Sequence, residues 1–325
     1  MNLLITSVGR RTKLVEYFKN EFKEYGQIIV TDCDNTASAM YFADKSYIVP
    51  MITDVNYIDK LIEICKKEDI EAIITLIDPE LSLLADNIDK FQKIGVKLIV
   101  SNKEVTELCF DKYLMYKFLE KNGFNCAKTY IDLEEFIVDF NLKNIELPVF
   151  LKPRKGSASI NANKINDIET LKAVFNCYPD MLIQEFLDGQ EYGVDVYTDM
   201  VSQGIVSIFI KEKIKMRAGE TDKAISIKDQ RLIELINDFV NKLGTVGPID
   251  IDVFKLKGEY YISEVNPRFG GGYLLAYECG NNFPKFILNN LKEQANTQEI
   301  GNYEEGIYMF KYENVIVKKD CDLIY

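Results

Sequence analysis

A chain of 325 residues is long enough to bury more than one core, which implies two or three packed units. Its 51 acidic against 39 basic side chains give a net charge of −12, which argues against a nucleic-acid backbone as the main partner. Histidine is absent, which excludes His-ligated zinc, Ser-His-Asp triads and Cys-His dyads; any chemistry falls to carboxylates, amides, Lys, Arg and a metal.

Over the N-terminal third, short apolar runs alternate with amphipathic stretches. Leu3-Leu4-Ile5 reads as a strand, followed by a helix with Leu14, Val15, Phe18 and Phe22 on one face. Ile28-Ile29-Val30 is a second strand, Ile58, Leu61, Ile62 and Cys65 mark a second helix, and Ala72–Leu76 and Val96–Val100 are further strands. This alternation predicts a Rossmann-like parallel sheet with helices on both faces. The acidic stretches Asp32-Cys33-Asp34 and Asp78-Pro79-Glu80 follow strands, at the ligand-prone carboxyl edge of such a sheet, although helix caps and turns are the commoner use of such acids. Ser7-Val8-Gly9-Arg10-Arg11 sits where a Rossmann fold binds pyrophosphate, but it lacks the GxGxxG spacing, so no dinucleotide is expected there.

A helical region from about residue 103 to 125 contains Asp111-Lys112. From Pro148 the pattern turns β-rich, with strands expected at Val149–Lys152, Met181–Gln184, Tyr192–Tyr197 and Val201–Ile210. A helix carrying Leu232, Leu235, Ile236, Phe239, Val240 and Leu243 follows. Two strands, 249–255 and 259–265, meet around Gly258; a helix over about 283–292 and a closing strand from Ile307 to Val317 complete the chain. Seven scattered cysteines without a CxxC pair read as reduced thiols in a cytoplasmic protein. The opening apolar run is too short for a signal peptide, and no stretch approaches a membrane span.

The run Glu264-Val265-Asn266-Pro267-Arg268-Phe269-Gly270-Gly271-Gly272 is the most informative segment. Strand side chains alternate faces, so Glu264 and Asn266 point the same way, roughly 6–7 Å apart. Oxygen donors on one surface suit a hard cation beside phosphates. Arg268 adds a permanent positive charge, and the glycines let a backbone pass close to a ligand. A three-residue loop at Lys257-Gly258-Glu259 would set Asp252 opposite Glu264 and Asp250 opposite Asn266, leaving Asp250 and Asp252 as competing third ligands, with Asp252 preferred. A solvated acidic face is the plain alternative. Lys152 ends an apolar strand ahead of the small, polar stretch Gly156-Ser157-Ala158-Ser159, whose backbone N–H groups and hydroxyls can meet phosphate oxygens. In Gln184-Glu185-Phe186-Leu187-Asp188-Gly189-Gln190-Glu191, a strand runs into a linker that offers backbone groups to an adenine and acids to a ribose.

In this order the pieces resemble the ATP-grasp superfamily, and most closely stand-alone proteins similar to one ATP-grasp unit of a carbamoyl-phosphate synthase large subunit. The resemblance covers the Ser7–Arg11 opening, Asp111-Lys112, Lys152 with its loop, Gln184–Leu187 with Glu191, and Glu264–Gly272. It implies an α/β and α+β fold: a Rossmann-like domain over residues 1–102, then a two-lobed ATP-grasp fold. Its small lobe and linking helices would occupy 103–187, and its C-terminal lobe 188–325. By that resemblance Lys112 and Lys152 contact ATP phosphates, and Ser157, Ala158 and Ser159 lie in the loop that closes over them. Glu185 and the backbone of Phe186 and Leu187 hold the adenine, and Glu191 the ribose. Asp252, Glu264 and Asn266 hold Mg²⁺, with Mn²⁺ as the alternative ion. Arg268 faces the transferred phosphoryl group, with Lys152 and Asn266 as the other catalytic residues. Arg217 and Glu220 border the acceptor, and Asp78, Glu80 and Gly271 are further substrate candidates. The loop after Lys152 is poorer in glycine than in many relatives, and Asp252 stands where close relatives often carry Gln or Glu.

The implied reaction is ATP-dependent carboxylate–amine ligation through an acylphosphate, with small-molecule substrates and no nucleic-acid or membrane partner. Such chemistry needs positioning and charge neutralisation more than acid–base groups, which suits a chain without histidine. A homodimer is the commonest form among symmetric soluble enzymes. Alternatives are a carbamoyl-phosphate synthase-like subunit phosphorylating carbamate or bicarbonate, and a nucleotide-binding regulatory protein without turnover.

Overall fold

A computed structural model describes residues 1–156 and 162–325; Ser157, Ala158 and Ser159 of the expected phosphate loop lie outside the described residues. The N-terminal unit runs β1 (Asn2–Thr6), α1 (Thr12–Phe22), β2 (Ile28–Asp32), β3 (Lys45–Ile48), α2 (Tyr57–Lys67), β4 (Ile70–Thr75), α3 (Asp78–Asp86), α4 (Ile88–Gln92) and β5 (Lys97–Leu98). Its strands form a parallel sheet in the order β3-β2-β1-β4-β5. Alternation along β1 splits the core: Leu3 and Ile5 pack with Val15 and Phe18 of α1, while Leu4 packs with Leu61 of α2 and Phe91 of α4.

The expected single helical region resolves into α5 (Lys103–Phe110) and α6 (Lys112–Lys121). The break is Asp111, whose extended backbone stops α5 and whose carboxylate caps α6 by accepting from the Tyr113 and Leu114 amides at 3.1 Å. Both helices bury Val105, Cys109, Met115 and Leu119 against the large C-terminal sheet, although the small lobe follows them in sequence.

The small lobe holds β6 (Thr129–Tyr130), α7 (Leu133–Asn141), β7 (Val149–Pro153), β8 (Asn163–Ile165), α8 (Ile168–Cys177) and β9 (Met181–Glu185), with an antiparallel sheet ordered β6-β9-β7-β8. The apolar periodicity of α7 and α8 is short and acid-broken, and the sequence reading passes over both; Asp132 and Asp167 cap them. Phe136 and Leu171 seal the lobe against Val149, Leu151 and Ile183.

The large sheet takes β10 (Gln190–Thr198), β11 (Ile205–Arg217), β12 (Glu220–Ile227), β13 (Gly247–Leu256), β14 (Glu259–Asn266) and β15 (Tyr308–Phe310), in the antiparallel order β14-β13-β10-β11-β12-β15. The amphipathic α9 (Gln230–Leu243) covers one face through Leu232, Ile236, Phe239 and Val240. After β14 come α10 (Tyr273–Glu278) and α11 (Phe283–Leu291), which pack through Tyr273, Phe283 and Ile287 onto the core shared with α1. Two strand expectations need correction. The one begun at Val201 starts at Ile205, because Asp199 ties the preceding turn through the Val201 and Ser202 amides. The closing strand of 307–317 shrinks to β15; beyond the Lys311 amide, which donates to the Asp222 carbonyl of β12, the chain leaves the sheet, and Val315 and Val317 are exposed. No helix among the described residues is long and apolar enough to cross a membrane.

Candidate functional site

The β13–β14 hairpin pairs Asp252 with Glu264 and Asp250 with Asn266, the facing arrangement expected from spacing, but by a different route. Its turn has two residues rather than three, since Leu256 pairs with Glu259, and Lys257 and Gly258 both take positive φ (51° and 88°). That turn alone would set the register off by one. An irregularity between Asp252 and Val253 restores it, because Val253 pairs with Ile262 and Asp252 with Glu264, leaving Ser263 as an extra residue on β14.

Strand pairing extends this face across the sheet. Gly193 of β10 sits opposite both Asp252 and Lys211, which brings Glu191, Asp195, Lys211 and Lys213 to the same side as the hairpin acids. Lys213 bridges Glu191 at 2.7 Å and Asp252 at 2.6 Å, and Lys211 is sealed beneath against Asp195 at 2.5 Å. Burial pushes the Asp252 carboxyl up to about 7; Lys213 opposes this, and Asp250, Glu191 and Glu264 add to it. Burial likewise raises Asp195 to about 6, against the pull of Lys211. Asp252, Glu264 and Asn266 offer oxygen donors on one face, as Mg²⁺ requires. In this structure Lys213 holds the place of positive charge beside Asp252, so a metal and Lys213 would share that carboxylate.

Opposite lies the small lobe. Lys152, half-buried at the end of β7, has its pKa lowered by burial and by Lys112 and raised by Glu264 and Asp252 across the cleft. Lys112 donates to the Gly156 carbonyl at 2.5 Å. Asp111 fixes this pair of lysines to the loop base: Arg154 Nε lies 2.8 Å from both Asp111 carboxylate oxygens, and the Lys112 amide donates to the Arg154 carbonyl. At the far end of β9, Glu185 accepts from the Lys128 amide at 3.1 Å, Phe186 is half-buried beneath the ammonium of Lys164, and Leu187 is buried.

Arg268 lies under the N-terminal unit. Its Nη2 meets Asp78 at 2.9 Å and its Nη1 faces Asp250 at 3.6 Å; burial works against its charge, but Asp78 and then Asp250 raise its pKa. The three following glycines have a use the sequence did not disclose. A Cβ at Gly270 would overlap the Asp250 carboxyl, one at Gly272 would overlap Lys211, and one at Gly271 would sit 3.0 Å from Glu220. The close neighbours of this turn are the protein's own charged side chains.

The remaining candidates separate. Asp78 opens α3 and reaches Arg268, whereas Glu80 is fully buried, accepting from Ser7 and Thr75 with one oxygen and from Tyr57 with the other. Glu80 therefore shapes the Ser7 turn rather than facing the cleft. Arg217 and Glu220 flank the β11–β12 turn. Arg217 pairs outward with Asp222 and Glu313, while Glu220 pairs inward with Lys311 at 3.0 Å and Arg10 at 3.5 Å. Lys211, Lys213 and Lys311 were missed by sequence reasoning. The alternating lysines of β11 carried a signal, since they share the parity of the acids they meet; Lys311 carried none.

An ATP-grasp domain model matches residues 109–272, and a PylC-like N-terminal domain model matches residues 3–99. The chain belongs to the ATP-grasp family. It is 26% identical over 245 residues to a phosphoribosylamine–glycine ligase of Fusobacterium nucleatum, covering 65% of this chain and 56% of that protein. To a carbamoyl-phosphate synthase of Methanobrevibacter smithii it is 23% identical, covering 86% and 78%. The fold matches the biotin carboxylase domain of Hydrogenobacter thermophilus 2-oxoglutarate carboxylase, solved with MgADP, ADP and bicarbonate, at a TM-score of 0.74 and 15% identity, covering 94% and 73%. The chain thus spans little more than half the length of the first of these relatives.

Proposed function

We propose that this protein is an ATP-dependent carboxylate–amine ligase that works through an acylphosphate. The observation that carries the reading is that Lys152 of the small lobe lies within the field of Glu264 and Asp252 of the β13–β14 hairpin and of Lys112, with Arg268 just beyond β14. The names of its relatives support a ligase that uses ATP, as does the MgADP held by its structural neighbour.

In this reading the three units are residues 1–102, 103–187 and 188–325. Glu185 with the Phe186–Leu187 backbone takes the adenine, Glu191 the ribose, and Lys112 and Lys152 the phosphates, beneath a loop containing Ser157, Ala158 and Ser159. Asp252, Glu264 and Asn266 hold Mg²⁺, which offsets phosphate charge when bound. An oxygen of the substrate carboxylate attacks the γ-phosphorus, the bond to the bridging oxygen breaks, and ADP leaves. Arg268 and Lys152 stabilise charge on the transferred group. The amine nitrogen then attacks the acyl carbon, phosphate departs, and the amine's proton passes to solvent. Lys213, bridging Glu191 and Asp252, ties the ribose end of the site to the metal end. Release of ADP and phosphate from Mg²⁺-ATP with a pool of acids and amines tests the reading. Activity that depends on Glu264 and Lys152 supports it, and no release with any member of a broad pool overturns it.

A further inference from the structure

The Ser7–Arg11 opening, which the nucleotide chemistry leaves unused, meets the active cleft from the N-terminal unit. Arg11 is half-buried and donates through Nη1 to the Phe269 carbonyl at 3.0 Å, one residue beyond Arg268. No carboxylate lies within ion-pair distance of it among the described residues, so the rest of its planar fork is uncommitted. Every other arginine at this junction is matched: Arg268 by Asp78 and Asp250, and Arg10 by Glu220. Lys311, reached from beyond β15, shares Glu220 with Arg10. Arg10 and Lys311 thus share one carboxylate, and Arg11 stands beside them without an ion pair of its own among the described residues. The charges acting on Arg11 are those of Arg268, Glu220, Asp250 and Asp78, which places its guanidinium within the same cluster as the phosphoryl-facing arginine. Arg11 is also the N-cap residue of the 11-residue α1 and supplies no side-chain cap, so that helix start adds positive potential to the same corner.

A partly buried guanidinium without a carboxylate partner costs desolvation, unless a ligand completes it. Its geometry suits a planar carboxylate or a phosphate taken by two parallel hydrogen bonds. We infer that Arg11, with Lys311 and Arg10, forms an oxyanion pocket that grips a second anionic group on the substrate, apart from the carboxylate activated at Arg268. The substrate class is therefore a compound bearing two anionic groups, a dicarboxylate or a phosphorylated carboxylate. Glu220, packed so close to Gly271 that a Cβ there would sit 3.0 Å from it, lies between Arg10 and Lys311 and offsets their repulsion.

The inference rests on the ligase reading for what the pocket serves, but not for whether an anion binds there. Calorimetric titration of the full chain, saturated with MgADP, therefore tests it with succinate in one arm and inorganic phosphate in the other. At least one anion should bind the wild type saturably, and the better one distinguishes the two sources. Arg11→Met and, independently, Lys311→Met should weaken that binding about 10–100-fold, with MgADP affinity kept within twofold. Arg11→Lys should recover part of the loss, since it restores charge without the fork. Equal binding by wild type and both variants, or no binding to the wild type, overturns the pocket. Turnover is read separately: ADP release without anion binding would spare the ligase reading and defeat this one, and anion binding without ADP release would do the reverse.

Discussion

The hairpin face and the Arg11 corner lie on either side of Arg268 and are built on opposite electrostatic plans. On the hairpin face the two buried lysines each have carboxylate partners, Lys213 with Glu191 and Asp252 and Lys211 with Asp195. At the corner the cations outnumber the acids, and Arg11 meets only a backbone carbonyl among the described residues. In the proposed reading, a metal on the hairpin face would share the Asp252 carboxylate with the buried Lys213. A region with surplus charge waits for a ligand. In the same reading, paired charges serve the ATP chemistry and the unpaired Arg11 serves the particular substrate.

The largest way to break this comparison is to remove an acid from the matched face. If the ligase reading holds, Glu264→Ala should lower ADP formation on the order of 10³-fold in a coupled assay, because a proposed Mg²⁺ ligand is removed. Asp78→Ala strikes the junction between the regions. It leaves Arg268 with Asp250 alone at 3.6 Å, and chemical denaturation should report a loss of about 3 kcal/mol. If stability were unchanged, the clamp from the N-terminal unit would be incidental.

Asp199 sharpens the contrast by serving as a purely structural acid. It accepts from the amides of Val201, Ser202 and Asn296 and from the side chains of Asn290 and Asn296. Burial opposes its charge, but these bonds win and hold the carboxyl down at about 2, below its ordinary 3.8. A depressed carboxyl gives stability that is full above the unfolded value and is lost as pH falls through the folded one. Asp199→Asn should therefore destabilise the protein by about 2 kcal/mol at neutral pH, with the deficit closing between about pH 4 and pH 2 in acid titrations of unfolding. Gly270→Ala is the smallest change. Its Cβ overlaps the Asp250 carboxyl, and thermal melts should show a cost of about 1–2 kcal/mol. A neutral outcome would mean that Asp250 can move without disturbing Arg268.

Much of the matched face was legible in sequence because it depends on short spacing. The parity of Asp250, Asp252, Glu264 and Asn266 fixes one side of a hairpin wherever the turn falls, provided a bulge absorbs the odd residue. The two-residue turn and the bulge were not legible separately, since each shifts the register by one and their sum is what spacing reveals. The parallel sheet was likewise written in alternating runs, whereas α7 and α8 were too short and too acidic to show a face. The corner was illegible for another reason. Arg10 and Arg11 are followed by Glu220 and Lys311 some 210 and 300 residues later, and only packing of α10 and α11 onto α1 brings them together. Glu80 looked like a substrate reader because it follows a strand, yet Tyr57, Thr75 and Ser7 occupy its carboxylate entirely. Nothing local distinguishes an acid that faces a cleft from one that braces a turn.

The most direct test of the ligase account follows oxygen. Substrate acids whose carboxylates carry ¹⁸O are incubated with Mg²⁺-ATP and amines, and the released phosphate is examined by mass spectrometry. Activation through an acylphosphate predicts one ¹⁸O in each phosphate formed with product, as the acyl carbon–oxygen bond breaks when the amine attacks. Amide formation with ADP release and unlabelled phosphate would contradict it.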